Sequence, residues 1–181
     1  MTLSEIYEAA HVRRLPVDPV EISRALGVKV VDYEAVVECF DTDMRSLYAG
    51  YPLGFSFRDG GVCCIALNTH SCGERRRRFT VAHELAHCVL RHFESKDFSY
   101  SEERAAERFA AELLAPLAVL RACGVRSAEE MARLCGISHH AARIRAEELA
   151  EREYGGFTRT ADERRLTELL GEFINSYRKK R

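Results

Sequence analysis

The chain contains no apolar run approaching the roughly 20 residues needed to span a membrane. It also has no basic excess: 27 Lys and Arg stand against 28 Asp and Glu, for a net charge of −1. Such a balance sets up no global field to draw in nucleic acid or anionic lipid. Its seven cysteines include no C-x-x-C pair, and their number is odd. A disulfide framework is therefore not expected, and all seven read as reduced thiols, with Cys88, Cys123 and Cys135 in apolar surroundings. The first residues, Met1 to Glu8, lack the basic-then-apolar order of a secretory signal. A cytoplasmic protein is expected.

What is present fits a globular chain. Of 181 residues, 46% are hydrophobic and 30% charged, enough for one good-sized domain or a domain with a small appendage. Within it, His83-Glu84-Leu85-Ala86-His87 forms an H-E-x-x-H motif. On a helix, residues four apart share a face, so two imidazoles at this spacing can share one zinc ion. Glu84 sits about 100° around the helix from His83. It can reach a water at the metal without ligating the metal, the arrangement of a zinc hydrolase with Glu as general base.

The surrounding residues support a helix. Ser71 and Glu74 have capping-box spacing, which places a start near Cys72, and nothing after Gly73 breaks the run through Phe93. Phe79, Ala82, Leu85, Ala86, Val89 and Phe93 are expected on a core face opposite the histidines. Arg75 to Arg78 read as a solvated helix start, with Arg76 on the histidine face.

Upstream, residues 3 to 11 suit a short helix. Asp18-Pro19 marks a helix start, Gly27 a left-handed stop, and Val28, Val30 and Val31 a strand. Residues 34 to 50 carry little signal. Gly54 to Asn68 reads as a hairpin turning at Asp59-Gly60-Gly61. Its return strand leads into the motif helix, where an edge strand would pair with an extended substrate.

A catalytic zinc takes three protein ligands and leaves one position open. The third ligand is expected from a second helix, opened by Ser99 or Ser101 and closed by Pro116. Of its acids, Glu103 is the chosen ligand. Glu107, one turn on, would orient a histidine's free N–H, while Glu112 points almost opposite. Ala105, Ala106, Ala110 and Ala111 permit close packing of this helix.

Residues of roughly 17 to 120 resemble the ImmA/IrrE family of metallopeptidases. The resemblance is carried by Arg77 through His87 and by Glu103 through Phe109-Ala110-Ala111-Glu112-Leu113-Leu114-Ala115-Pro116. The family often has Gly where Ala86 stands, and Asn or Asp where Glu107 stands. The resemblance implies a zincin-like domain with His83, His87 and a Glu as zinc ligands and Glu84 as catalytic base. It also implies a substrate class, helix-turn-helix repressors, whose cleavage releases genes of mobile elements or stress responses. The residues alone lead only to a zinc hydrolase, and Mn²⁺ would suit the same His₂Glu set.

The last third is helical. Ser127 to Glu130 has capping-box spacing, Gly136 marks a turn, and Ser138 caps a new helix, so 127–150 resembles a helix-turn-helix. His139, His140, Arg143 and Arg145 fall where base-reading side chains belong, but Glu147, Glu148, Glu151 and Glu153 follow and would repel phosphates. Packing or partner binding is favoured over DNA contact. Gly155-Gly156 breaks the chain, and Thr160 with Glu163 caps an amphipathic helix over 160–178.

The expected architecture is α+β: a peptidase domain over 1–122, with small sheet, motif helix and Glu helix, then a helical region over 123–181. The expected function is zinc-dependent endopeptidase acting on a repressor. Two alternatives stand beside it: a zinc-containing regulator that grips a repressor without cutting it, and a DNA-binding protein using 127–150.

Overall fold

The computed structural model describes residues 1–70, 73–94 and 99–180. Its first helix, α1 (Leu3–Ala9), starts from a capping box between Thr2 and Glu5. By internal contacts the chain forms two compact units: Asp18–Ala110, and Met1–Val17 together with Ala111–Arg181.

The unit from Asp18 to Ala110 is built on a three-stranded sheet. Helix α2 (Pro19–Ala25) begins where the Asp18 carboxylate accepts from the Val20 and Glu21 amides. Pro19 occupies the first helical position, where its missing N–H costs nothing. Gly27, at φ 73°, turns the chain into β1 (Lys29–Asp32). Two helices follow where the sequence carried little signal, α3 (Tyr33–Cys39) and α4 (Met44–Gly50). Each has an aspartate cap, Asp32 and Asp43, and each is only seven residues long, too short to show a clear periodicity. The hairpin is β2 (Gly54–Asp59) and β3 (Val62–Leu67), with Asp59 opposite Val62 across the two-glycine turn.

Strand order is β1-β3-β2. The return strand β3 is therefore central, parallel to β1 and antiparallel to β2, and does not form the expected edge beside the motif helix. Pairing with β1, which lies far back in the chain, takes up the side of β3 that the hairpin leaves open. The edge strand next to β3 on the hairpin side is β2.

Helix α5 (Glu74–Leu90) packs on β2, β3 and α2. Ala82 and Ala86 are fully buried, and such small side chains let the backbones approach closely. The helix begins at Glu74 with Gly73 as cap and no side-chain capping bond. Ser71 and Cys72, expected at its start, lie outside the described residues. The core face also differs from expectation: Val81 and Cys88 are buried, whereas Phe79 is 36% exposed and lies beside the His83 ring. Arg75 and Arg76 are exposed, as a solvated start requires. At the other end Arg91 adopts the left-handed conformation (φ 59°), and a single 3-10 turn, His92–Glu94, follows. Helix α6 (Tyr100–Leu114) starts at Ser99, whose hydroxyl accepts from the Glu102 amide while the Glu102 carboxylate accepts from the Ser99 amide.

The second unit gathers α1 with the C-terminal helices. The Tyr7 hydroxyl, fully buried, donates to the Leu113 carbonyl at 2.7 Å, and the Ser4 amide donates to Asp162 at 3.0 Å. Helix α7 (Leu117–Cys123) follows Pro116. Helices α8 (Ala128–Cys135) and α9 (His139–Tyr154) are capped by Ser127 and Ser138, with Gly136 between them at φ 64°. The final stretch is two helices where one was expected: α10 (Ala161–Leu169), opened by a complete Thr160–Glu163 capping box, and α11 (Gly171–Lys179). The interruption falls at Leu170, just before Gly171, a residue that costs a helix interior about 1 kcal/mol. Leu166, Leu170 and Ile174 still bury one face.

Among the described residues six cysteines are free thiols; Cys72 lies outside them. No helix of the described residues is long and apolar enough to cross a membrane.

Candidate metal centre

Three side chains converge in the Asp18–Ala110 unit. Helix α5 presents His83 and His87 one turn apart, with their Nε2 atoms 3.1 Å from each other. Helix α6 brings in Glu103, whose carboxylate oxygens lie 3.3 Å from the His83 Nε2 and 3.5 Å from the His87 Nε2. Two donors each about 2.0–2.1 Å from a tetrahedral zinc ion are about 3.3 Å apart. The three separations bracket that value, and both imidazoles offer the same nitrogen, so the group fits a metal of this size. Burial is graded across it: the His87 side chain is 3% exposed, His83 17% and Glu103 47%, so the centre opens to solvent on the Glu103 side.

The imidazoles are held differently. The Nδ1 of His87 lies 3.0 Å from the Nδ1 of His92, which is itself buried. The Nδ1 of His83 is buried with no hydrogen-bond partner among the described residues. Burial, with the neighbouring His83 and His92, holds the His87 imidazole down to about 4, so it is neutral at pH 7 and keeps a lone pair for a metal.

Glu84 points to the hairpin. Its carboxylate accepts a 2.7 Å hydrogen bond from the Ser56 hydroxyl on β2. Burial pushes the Glu84 carboxyl up from the ordinary carboxylate range; hydrogen bonding to Ser56 and the neighbouring His83 pull it down, and the charge of Glu103 pushes it up again. Tyr33 stands close enough to feel Glu84: burial, and then that charge, push its phenol up to about 12. The Tyr33 proton is committed to the Tyr51 carbonyl.

The arrangement brings together His83, His87 and Glu103, and sets Glu84 next to them. It does not bring Glu107 there. Glu107 is exposed and pairs with Arg104 at 3.4 Å, and the group beside the Nδ1 of His87 is His92. Sequence reasoning could not place His92 and missed Ser56. His92 stands five residues after His87, about 140° around a continuous helix, and it reaches back only because Arg91 ends the helix. Ser56 lies on an alternating strand with no local pattern linking it to Glu84.

In the other unit, Arg145 is not a base-reading side chain. It is 5% exposed, donates from Nε and Nη2 to the Ala115 carbonyl at 3.1 and 2.8 Å, and pairs with Glu112 and Glu148. Of the basic positions expected at the start of α9, His139, His140 and Arg143 are exposed.

Paired histidines one helical turn apart, an acid between them and a carboxylate from a second helix define a metallohydrolase centre of the H-E-x-x-H class. Comparison with known families places it further: the family model of the IrrE N-terminal-like domain, peptidase family M78, matches residues 42–147. That is more than half of the chain, which therefore belongs to the ImmA/IrrE family of metallopeptidases. The match begins later than the expected 17 and runs past 120, through α8 and into α9. No curated protein and no solved structure matches the chain significantly.

Proposed function

We propose that this metallopeptidase is a cytoplasmic zinc endopeptidase that cleaves a helix-turn-helix repressor and so releases the genes the repressor silences. One observation carries the metal assignment: the 3.1, 3.3 and 3.5 Å separations among His83, His87 and Glu103. Two imidazoles and a carboxylate suit Zn²⁺, with Mn²⁺ the other candidate. The repressor substrate rests on the family resemblance and on β2, an edge strand of the sheet among the described residues, to which an extended segment could add.

When bound, zinc lowers the pKa of water toward about 7 and polarises a carbonyl. The residues of the chain supply the rest. Glu84 takes a proton from the attacking water and passes it to the leaving amine. Ser56 holds the Glu84 carboxylate in place by its 2.7 Å bond. Burial keeps His87 neutral, so protons compete weakly for its ligating nitrogen near pH 7. The β2 edge pairs with the substrate backbone. In this reading 1–122 carries the chemistry, through side chains that lie in the Asp18–Ala110 unit. Direct DNA reading through 127–150 is disfavoured by the burial of Arg145.

The test is zinc content of the purified protein beside His87→Ala, followed by cleavage of the helix-turn-helix protein encoded next to it, with Glu84→Gln as control. About one zinc per chain, lost in His87→Ala, is expected, with cleavage reduced by about 10²–10⁴ in Glu84→Gln. A wild-type protein that takes up no metal from added zinc would rule out the peptidase mechanism. Zinc uptake without cleavage would leave the gripping regulator.

A further inference from the structure

We infer that His92 is a positioning residue for the metal centre: its Nδ1 accepts the Nδ1–H of His87 and holds that imidazole in the one tautomer that can ligate through Nε2. The inference rests on the metal assignment above. The two Nδ1 atoms are 3.0 Å apart, with rings 4.9 Å between centroids at 76°, so the nitrogens meet edge to edge without stacking. Both residues are buried, at 3% and 8% exposure. Each neutral imidazole carries one proton on one of its two nitrogens.

The proton on His87 is constrained by what its other nitrogen faces. The His87 Nε2 lies within 3.5 Å of both His83 Nε2 and a Glu103 oxygen, at the point where three donors converge. A ligating nitrogen must be unprotonated, so the His87 proton belongs on Nδ1. It is then donated across 3.0 Å, and His92 must present a bare Nδ1, with its own proton on Nε2. In most metal sites a carboxylate or a backbone carbonyl accepts this N–H. Here the acceptor is the imidazole of His92.

Backbone geometry serves this contact. Without the left-handed Arg91 the helix would carry His92 to another face. With it, the 3-10 turn His92–Glu94 brings the ring back against the helix, one turn beyond the metal ligands. The Nδ1 of His83 has no such acceptor among the described residues.

The experiment measures zinc affinity of the full chain by competition with a chromophoric chelator, for wild type, His92→Phe and His92→Gln. Thermal unfolding of the zinc-free proteins is followed in parallel. Loss of a partner that orients a ligating imidazole lowers metal affinity by about 10–100-fold. His92→Phe, which keeps a ring but no acceptor, is expected to bind zinc in that range more weakly. His92→Gln, whose amide oxygen can accept the same N–H, is expected to recover most of the loss. Equal zinc affinity in wild type and His92→Phe would overturn the inference and leave the metal site standing. Equal loss in both variants, tracking a drop in zinc-free stability, would overturn it in favour of packing alone. A wild-type chain that binds no zinc would sink the metal assignment itself and the inference with it.

Discussion

The hydroxyl of Ser56, on the edge strand of the sheet, donates to the carboxylate of Glu84, on the motif helix, at 2.7 Å. This bond ties the proposed general base to the strand proposed to receive substrate. A hydrogen bond to a charged group is worth about 1.5–3 kcal/mol, and it favours the ionised carboxylate. Glu84 must be ionised to accept a proton, and burial already raises its pKa. Removing the hydroxyl raises it further. Ser56→Ala is therefore expected to move the acid limb of kcat/KM to higher pH, with a roughly tenfold loss at the acid end and less at pH 8. Ser56→Thr keeps the donor and should hold the wild-type profile. A Ser56→Ala profile superimposable on wild type would show that the bond does not tune the base.

His87 sets a pH dependence of stability in the zinc-free protein. Its imidazole titrates at about 4 when folded, against 6.5 in the unfolded chain, because burial disfavours the charged form. Between these values the unfolded chain binds the extra proton, so stability falls as pH drops from about 6.5 to about 4. Denaturant melts of the zinc-free protein at pH 7 and pH 5 should show the lower midpoint at pH 5, with a smaller difference in His87→Phe. The reverse order would contradict the burial of that ring.

Gly54 opens β2 where the sheet meets α5. A Cβ built there would lie 2.8 Å from the Ala66 carbonyl oxygen and 2.9 Å from the Thr80 Cγ2. The first neighbour is backbone within the sheet and cannot step aside. Gly54→Ala is expected to destabilise by about 1–3 kcal/mol through overpacking. A differential scan should read that as a Tm several degrees lower; an unchanged Tm would mean the sheet and helix can separate at no cost.

Arg145 is held by the Ala115 carbonyl and the carboxylates of Glu112 and Glu148. Removing it leaves those acceptors without their cation. Breaking a buried pair costs about 3–5 kcal/mol, and the partial exposure of both glutamates places Arg145→Ala toward the lower figure. Stability by urea titration is the readout. A variant as stable as wild type but changed in affinity for DNA would revive the base-reading role of α9.

Local pattern made much of this protein legible. The spacing of His83 and His87 fixes a shared helical face, because a helix repeats every 3.6 residues whatever surrounds it. The caps at Asp18, Ser127, Ser138 and Thr160 satisfy amides two or three residues away, and the Gly60-Gly61 turn closes strands that are adjacent in the chain. Helical geometry put Glu103 and Glu107 on one face without separating them, and the structure brings Glu103 within 3.5 Å of both histidines. Tertiary structure decided the rest. It made β3 central by pairing it with β1, put Ser56 under Glu84, and withdrew Arg145 from the surface. It also folded His92 back onto His87 through a left-handed arginine, where Glu107 had been expected to act. None of these contacts repeats with the period of a helix or a strand. Each depends on which elements come to lie side by side, and the burial of the whole unit sets that, beyond the reach of any local window of sequence.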